Sequence, residues 1–408
     1  MSAAPGASLP AAPARPPGAG RRPPEHELLL HCARVALSPG GAARVRALAS
    51  EDLDWEELVA LAERHGLVAF LHRHLVAGPV AAPEAAASAL RARFREQARR
   101  ALALAGELRR LLDALSGAGV AALAYKGPAL AVQAYGDLSL RRFTDLDLLV
   151  RPDDAPRALA VLAGEGYDPV KRLSPAQDAA FRRVDGDYQL LHRRTRALVE
   201  LHCRVHSRRF GVPLETAELM RRARPVPLGG GEVPAPCPDD ALLVACVHGG
   251  KHRWNRLEWV SAVAGLLRGG SADAAAVLDR AGELHARRTV LLGLALARGL
   301  LDAPVPPAAV AEIEGDAGIA ALVEESERRM FAPTAVEVEG EETAANLVYN
   351  LRLRDRPTDR ARYAWRWLTL PSPEDWEWRP LPDALFPLYR VLRPLRLALR
   401  YGRRAVGR

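Results

Sequence analysis

Two aspartates, Asp145 and Asp147, stand in the segment TDLDLLV with a single leucine between them. In a strand, residues i and i+2 share one face while their neighbours point to the other. The spacing therefore predicts two carboxylates side by side above an apolar layer that includes Leu146 and Leu148. Like charges that close raise each other's pKa unless a cation neutralises them. A hard divalent ion such as Mg2+ does this, taking carboxylate oxygens and keeping open positions for substrate phosphates. Two such ions about 3.5–4 Å apart serve nucleotidyl transfer, one activating the attacking oxygen and the other steadying the leaving pyrophosphate. Mn2+ is the alternative ion, since it accepts the same oxygen ligands.

A third acid would complete such a site. Glu200 in LVELHCR is the candidate, flanked by Leu198, Val199 and Leu201. The competing reading is an edge-strand glutamate facing solvent. Upstream, the apolar run VAALAYKG stops at Gly127, and PALAVQAYG follows as a short helix with Pro128 suited to its first turn. A helix N-terminus offers free N–H groups and a positive dipole end to phosphate, and glycine permits close approach. Lys126 would add charge there. Only three lysines occur, Lys126, Lys171 and Lys251, in a chain otherwise served by arginine. A lysine in such a sequence suggests that a compact ammonium was wanted. Arg141 and Arg142, just before the acidic strand, are candidate contacts to a triphosphate, with surface arginine as the alternative.

His248 and His252 are four apart on an expected helix, a spacing that can chelate zinc. The glutamate of HExxH is missing, because Gly249 and Gly250 intervene, so packing or contact with substrate are the stronger readings. Lys251 between them could meet phosphate. His202 and His206 are expected as satisfied polar groups near a sheet edge, and Trp254 and Trp259 as core between helices.

These residues need a scaffold. Helical periodicity covers residues 25–48 and 53–76, with Gly66 parting the second stretch, and a long Ala/Leu/Arg helix covers 84–117. From Gly119 the pattern becomes strand, helix, strand, helix. DYQLLHRR and ALVELHCRV then read as antiparallel strands joined at Thr195-Arg196, and Gly229 to Gly231 as a hairpin turn. From Asp239 the chain is helical again, with 334–342 and 354–380 less regular. The expected organisation is a disordered Pro/Ala-rich tail (1–24), a helical region (25–117), the acid-bearing core (118–225), a second helical region (226–388) and an Arg-rich tail (389–408). The fold class is α+β.

Composition limits the rest. A chain of 408 residues with 49% hydrophobic and 26% charged content is expected to form two or three globular domains. Four scattered cysteines without CxxC spacing argue against a zinc ribbon and for a reducing cytoplasm. No apolar run approaches the ~18 residues of a membrane span, and the N-terminus lacks an apolar signal core. The net charge of +8 is nearly accounted for by the last twenty residues, which hold seven arginines and no acid. A nucleic-acid groove is therefore not favoured; a solvated basic helix end, or one binding RNA or an acidic surface, are the readings left.

The segment YKGPALAVQAYGDLSLRRFTDLDLLVRPDDAPRALAVLAGEGY resembles the signature of the uncharacterised bacterial nucleotidyltransferase family within the polymerase-beta-like superfamily. VELHCRVH is similar to that family's later acidic strand, and HGGKHRWNRLEWV to its downstream helical motif. The resemblance implies a small mixed nucleotidyltransferase sheet embedded between helical regions. It also implies Gly127 in the nucleotide loop, Asp145 and Asp147 as metal ligands, Glu200 as third acid, and His248 and His252 facing the nucleotide cleft. Three positions depart from the family pattern: Pro128 after the loop glycine, Cys203 where a tryptophan is usual, and Ala262 where an aspartate often stands. The activity implied is Mg2+-dependent transfer of a nucleoside monophosphate from an NTP, ATP among them, to an unidentified small-molecule or macromolecular acceptor hydroxyl. The alternatives are a catalytically inactive nucleotide-binding or antitoxin-like partner-binding module, and an RNA-directed transferase that uses the basic tail.

Overall fold

The computed structural model describes residues 22–332, apart from 79 and 81, and residues 343–406. The tail expected over 1–24 lies outside the described residues for all but its last three positions, and the stretch 334–342 lies outside them entirely. The fold is α+β: a five-stranded sheet and a two-stranded hairpin set among helices.

The N-terminal helices are Pro24–Cys32, Pro39–Ala49, Trp55–His65, Val68–Leu75 and Glu84–Gly117. Local chemistry sets their ends. Asp54 caps the third by accepting the Glu57 N–H at 2.9 Å, and Gly66 stops it with a φ of 70°. At the far side of this layer, His65 is buried and its Nδ1 accepts the Leu257 N–H at 3.2 Å. Burial, with Arg64 and Arg256 nearby, pushes its pKa down to about 3. The neutral ring is the folded form, so the unfolded chain binds the extra proton between pH ~6.5 and ~3. Stability from this site is complete above pH ~6.5 and declines as pH falls toward ~3, by roughly 2 kcal/mol between pH 7 and pH 5. Urea midpoints at the two pH values check this: His65→Gln should flatten the change, and an unaltered slope in that variant would refute it.

The sheet comprises β1 (Ala122–Ala124), β2 (Asp145–Val150), β3 (Tyr167–Pro169), β4 (Asp187–His192) and β5 (Leu198–His202), in the order β1-β2-β5-β4-β3. The central pair β2 and β5 is parallel; the other pairings are antiparallel. One face is apolar. Leu146, Leu148, Val150, Val199 and Leu201 are buried in one core with Leu104, Leu108 and Leu111 of the long Glu84–Gly117 helix and Leu162 of the Ala155–Gly164 helix. Alternation sends the intervening residues, Asp145, Asp147 and Glu200, to the opposite face. A hairpin of β6 (Arg224–Leu228) and β7 (Gly231–Ala235) turns at Gly229 and Gly230, both at positive φ.

The downstream helices Pro238–Lys251 and Leu257–Arg268 pack on each other, and the second packs beside the short Gly127–Tyr135 helix. Gly265 sets one spacing: a Cβ there would stand 2.4 Å from the Ala134 carbonyl oxygen. Backbone cannot rotate aside as a side chain can, so Gly265→Ala should displace the Gly127–Tyr135 helix and cost about 1–3 kcal/mol. Thermal unfolding would measure this; an unchanged midpoint would contradict it.

One expectation needs correction. Residues 354–380 are largely helical, as Pro357–Thr369 and Pro373–Trp378. The periodicity was masked because the buried face is built from Tyr363 and Trp367, while arginines of the following helix, Arg393 and Arg396, are buried against it. The Arg-rich end, Tyr389–Val406, is itself a helix.

Candidate functional site

In the parallel pairing of β2 with β5, Asp147 stands opposite Glu200 and Leu149 opposite His202. On β4, Gln189 faces Glu200 from the other side. Residues in register share a face, so a row of polar side chains crosses three strands above the apolar layer. The contacts follow from that row. His202 Nε2 lies 2.9 Å from Asp147 Oδ1 and 3.4 Å from Glu200 Oε2, and Gln189 Nε2 donates to Glu200 Oε1 at 3.1 Å.

The glycine turn lies against the same strand. The Tyr125 N–H donates to the Asp147 carbonyl at 3.0 Å, which continues the β1–β2 alignment beyond Ala124. Lys126 then folds back, its Nζ 3.1 Å from Asp147 Oδ1. Gly127 opens the Gly127–Tyr135 helix with φ at 47°, a left-handed value that disfavours any residue bearing a Cβ. A Cβ at Gly127 would lie 3.9 Å from the Asp145 carbonyl oxygen, so turn and acidic strand are in contact. Pro128 sits in the first helical turn and removes one N–H from it.

Electrostatics separate the three acids. Burial, the Asp147 and Glu200 charges raise Asp145 to about 6. Burial would raise Asp147 too, but Lys126 and the His202 hydrogen bond outweigh it and hold that carboxyl below its usual range. Glu200 is lowered, chiefly by the His202 hydrogen bond, against its own burial. His202 is itself raised, because its hydrogen bonds to the two carboxylates and the Asp147 charge exceed the opposing effects of burial and Lys126.

One ligand atom from each of Asp147, Glu200 and His202 falls within 4.8 Å of the others, so this trio could hold a metal ion. Asp145 is on the same face at the start of the strand but is not in that trio. The set suits a divalent cation: the acids are buried or half-buried, and the Lys126 ammonium answers Asp147 as an ion's charge would.

The remaining candidates divide. His248, Lys251 and His252 stand at the end of the Pro238–Lys251 helix. Burial first, then His252, Lys126, Lys251 and Arg141, push His248 far below its ordinary value. Trp259 completes an aromatic corner, its ring 5.4 Å from His248 and 5.2 Å from His252. Arg141 contributes to the field at Asp145 and His248. Arg142 is turned elsewhere: it is exposed and donates to the Glu63 carbonyl at 3.2 Å.

Two histidines exceeded the sequence reading. His202 is no edge residue; it is buried on β5, the middle strand of the sheet. His206 joins the cationic group, held neutral by burial and by Lys251, Lys126, His202 and His252, and among the described residues its Nε2 lacks a hydrogen-bond partner. The signal for His202 was present in its parity with Glu200 along one strand; for His206, which follows the strand, there was none. Beyond Lys251 a cavity of about 110 Å³ is lined by Phe210, Asn346, Asn350, Tyr363 and Trp367 among others.

Residues 51–302 match the model of a family described as an uncharacterised nucleotidyltransferase. No curated protein and no solved structure matches the chain.

Proposed function

This chain belongs to the uncharacterised nucleotidyltransferase family, and from that premise we propose that it transfers a nucleoside monophosphate from an NTP to an acceptor hydroxyl with release of pyrophosphate. The observation carrying this reading is the register of β2 on β5, which sets Asp147 against Glu200 beside a lysine returned from a glycine turn.

Asp147 and Glu200, with Asp145 beside them, would hold one or two divalent cations, Mg2+ or Mn2+, and His202 would orient both carboxylates or join the ligand set. Such a cation, when bound, neutralises phosphate charge and makes the acceptor hydroxyl easier to ionise. The protein's own groups do the rest. The N–H groups at the start of the Gly127–Tyr135 helix and the Lys126 ammonium bind phosphate oxygens. Lys251 and Arg141 offer further positive charge, and the rings of His248, His252 and His206, the last with its unpartnered Nε2, offer hydrogen-bonding groups. The acceptor oxygen forms a bond to the α-phosphorus while the bond to the bridging oxygen breaks and pyrophosphate departs. Glu200, fixed by Gln189 and His202, takes the acceptor's proton. Catalysis of this kind is positioning and charge stabilisation.

A second reading has one observation behind it. Pro128 deprives the phosphate-facing helical turn of a donor, which suits a module that binds nucleotide without turning it over. Incubation with α-labelled NTPs, Mg2+ and cell extract separates the two. Label should reach an acceptor with the wild-type protein. Nucleotide binding without transfer favours the second reading, and absence of both ends the proposal.

A further inference from the structure

The helix Tyr389–Val406 is amphipathic in an inverted sense. Its buried face carries Arg393 and Arg396, fully buried and 6% exposed respectively, while Val391, Leu395 and Leu399 stand 71%, 52% and 45% exposed. The arginines are fastened inward: Arg393 Nη1 donates to Asp375 Oδ2 and Ser372 Oγ, each at 2.9 Å, and its Nε donates to the Trp367 carbonyl at 2.8 Å. Arg396 Nε donates to Asp375 Oδ1 at 2.5 Å. This polar anchorage fixes the helix's rotation and turns Val391, Leu395 and Leu399 outward. Their spacing of four forms one stripe, which Leu388 extends. Eight of the large apolar side chains exposed among the described residues lie between Trp365 and Leu399, so the unpartnered apolar surface is concentrated in this layer.

We propose that this stripe seats on an anionic membrane surface, placing the enzyme at a bilayer without spanning it. Charge selects the occupant. The last twenty residues hold seven arginines and no acid; Arg393 and Arg396 are committed inward to Asp375, while Arg390 and Arg400 are exposed on the same helix. A helix that combines an apolar stripe with flanking arginines lies in the headgroup region, its apolar residues among acyl chains and its charges on anionic lipid. RNA would satisfy the arginines but offers nothing to the leucine stripe. A second copy would satisfy the stripe but set two arginine-rich helices against each other. Among the described residues no helix is long and apolar enough to cross a membrane.

Flotation of the full chain with phosphatidylcholine vesicles, with and without phosphatidylglycerol, tests this. The wild type should float with the anionic vesicles, about ten-fold less with neutral ones, and less again as salt is raised. The variant Val391→Ser/Leu395→Ser/Leu399→Ser changes only exposed positions. It should lose about ten-fold in bound fraction while its melting temperature is unaltered. Failure of the wild type to float with anionic vesicles, or flotation that ignores the triple substitution, overturns the proposal. So does a vesicle-free dimer that the triple variant converts to monomer.

Discussion

Asp147→Asn should reduce nucleotidyl transfer by about three orders of magnitude, the loss expected when a preorganised charge is removed from a water-poor site. Asp147 is the hub of the constellation: one oxygen meets both Lys126 and His202, and its neighbour across the strands is Glu200. Asparagine keeps the size but not the charge, so Lys126 loses the carboxylate it meets and His202 keeps only Glu200. His202 would then lose one of the two carboxylates that raise its pKa. The effect should fall on turnover more than on folding, because the apolar layer beneath, Leu146, Leu148 and Leu201, is untouched. Steady-state rates with labelled NTP, alongside thermal unfolding, separate the two. Activity within ten-fold of wild type would remove Asp147 from the chemistry.

Asp375→Ala should destabilise the C-terminal layer by about 3–5 kcal/mol. Asp375 is 1% exposed and is the carboxylate that answers both Arg393 and Arg396. Its removal takes from two buried guanidinium groups the carboxylate charge that helps offset their desolvation. The neighbouring Glu374 is exposed, and Glu374→Ala should stay within about 0.5 kcal/mol. Hydrogen exchange over residues 357–400 is the appropriate readout, with protection lost in Asp375→Ala and kept in Glu374→Ala. Equal protection in both variants would show that the layer does not depend on this network.

Much of the site was legible because strand parity is a local rule. The alternation in TDLDLLV placed Asp145 and Asp147 on one face, and the apolar flanks of Glu200 marked a buried strand. Which strand lies beside which is a long-range matter, and no local pattern could state that Glu200 pairs with Asp147 rather than with a residue two places along. The same limit hid His202. It read as a satisfied polar group near a sheet edge, and only the central position of β5 makes it the bridge between two acids. Arg142 illustrates the converse: proximity in sequence to the acidic strand did not bring it to the site, because its side chain found the Glu63 carbonyl. The helices between 357 and 378 escaped notice because arginine and tryptophan do there what leucine does elsewhere.

Binding of Mn2+ followed by electron paramagnetic resonance, with and without a non-hydrolysable NTP analogue, bears most directly on the acids as a cation site. Wild-type protein should take up the ion, more tightly with the analogue present, and Asp147→Asn/Glu200→Gln should abolish uptake while the fold persists. Undiminished Mn2+ uptake by the double variant, or none by the wild type, would contradict the assignment.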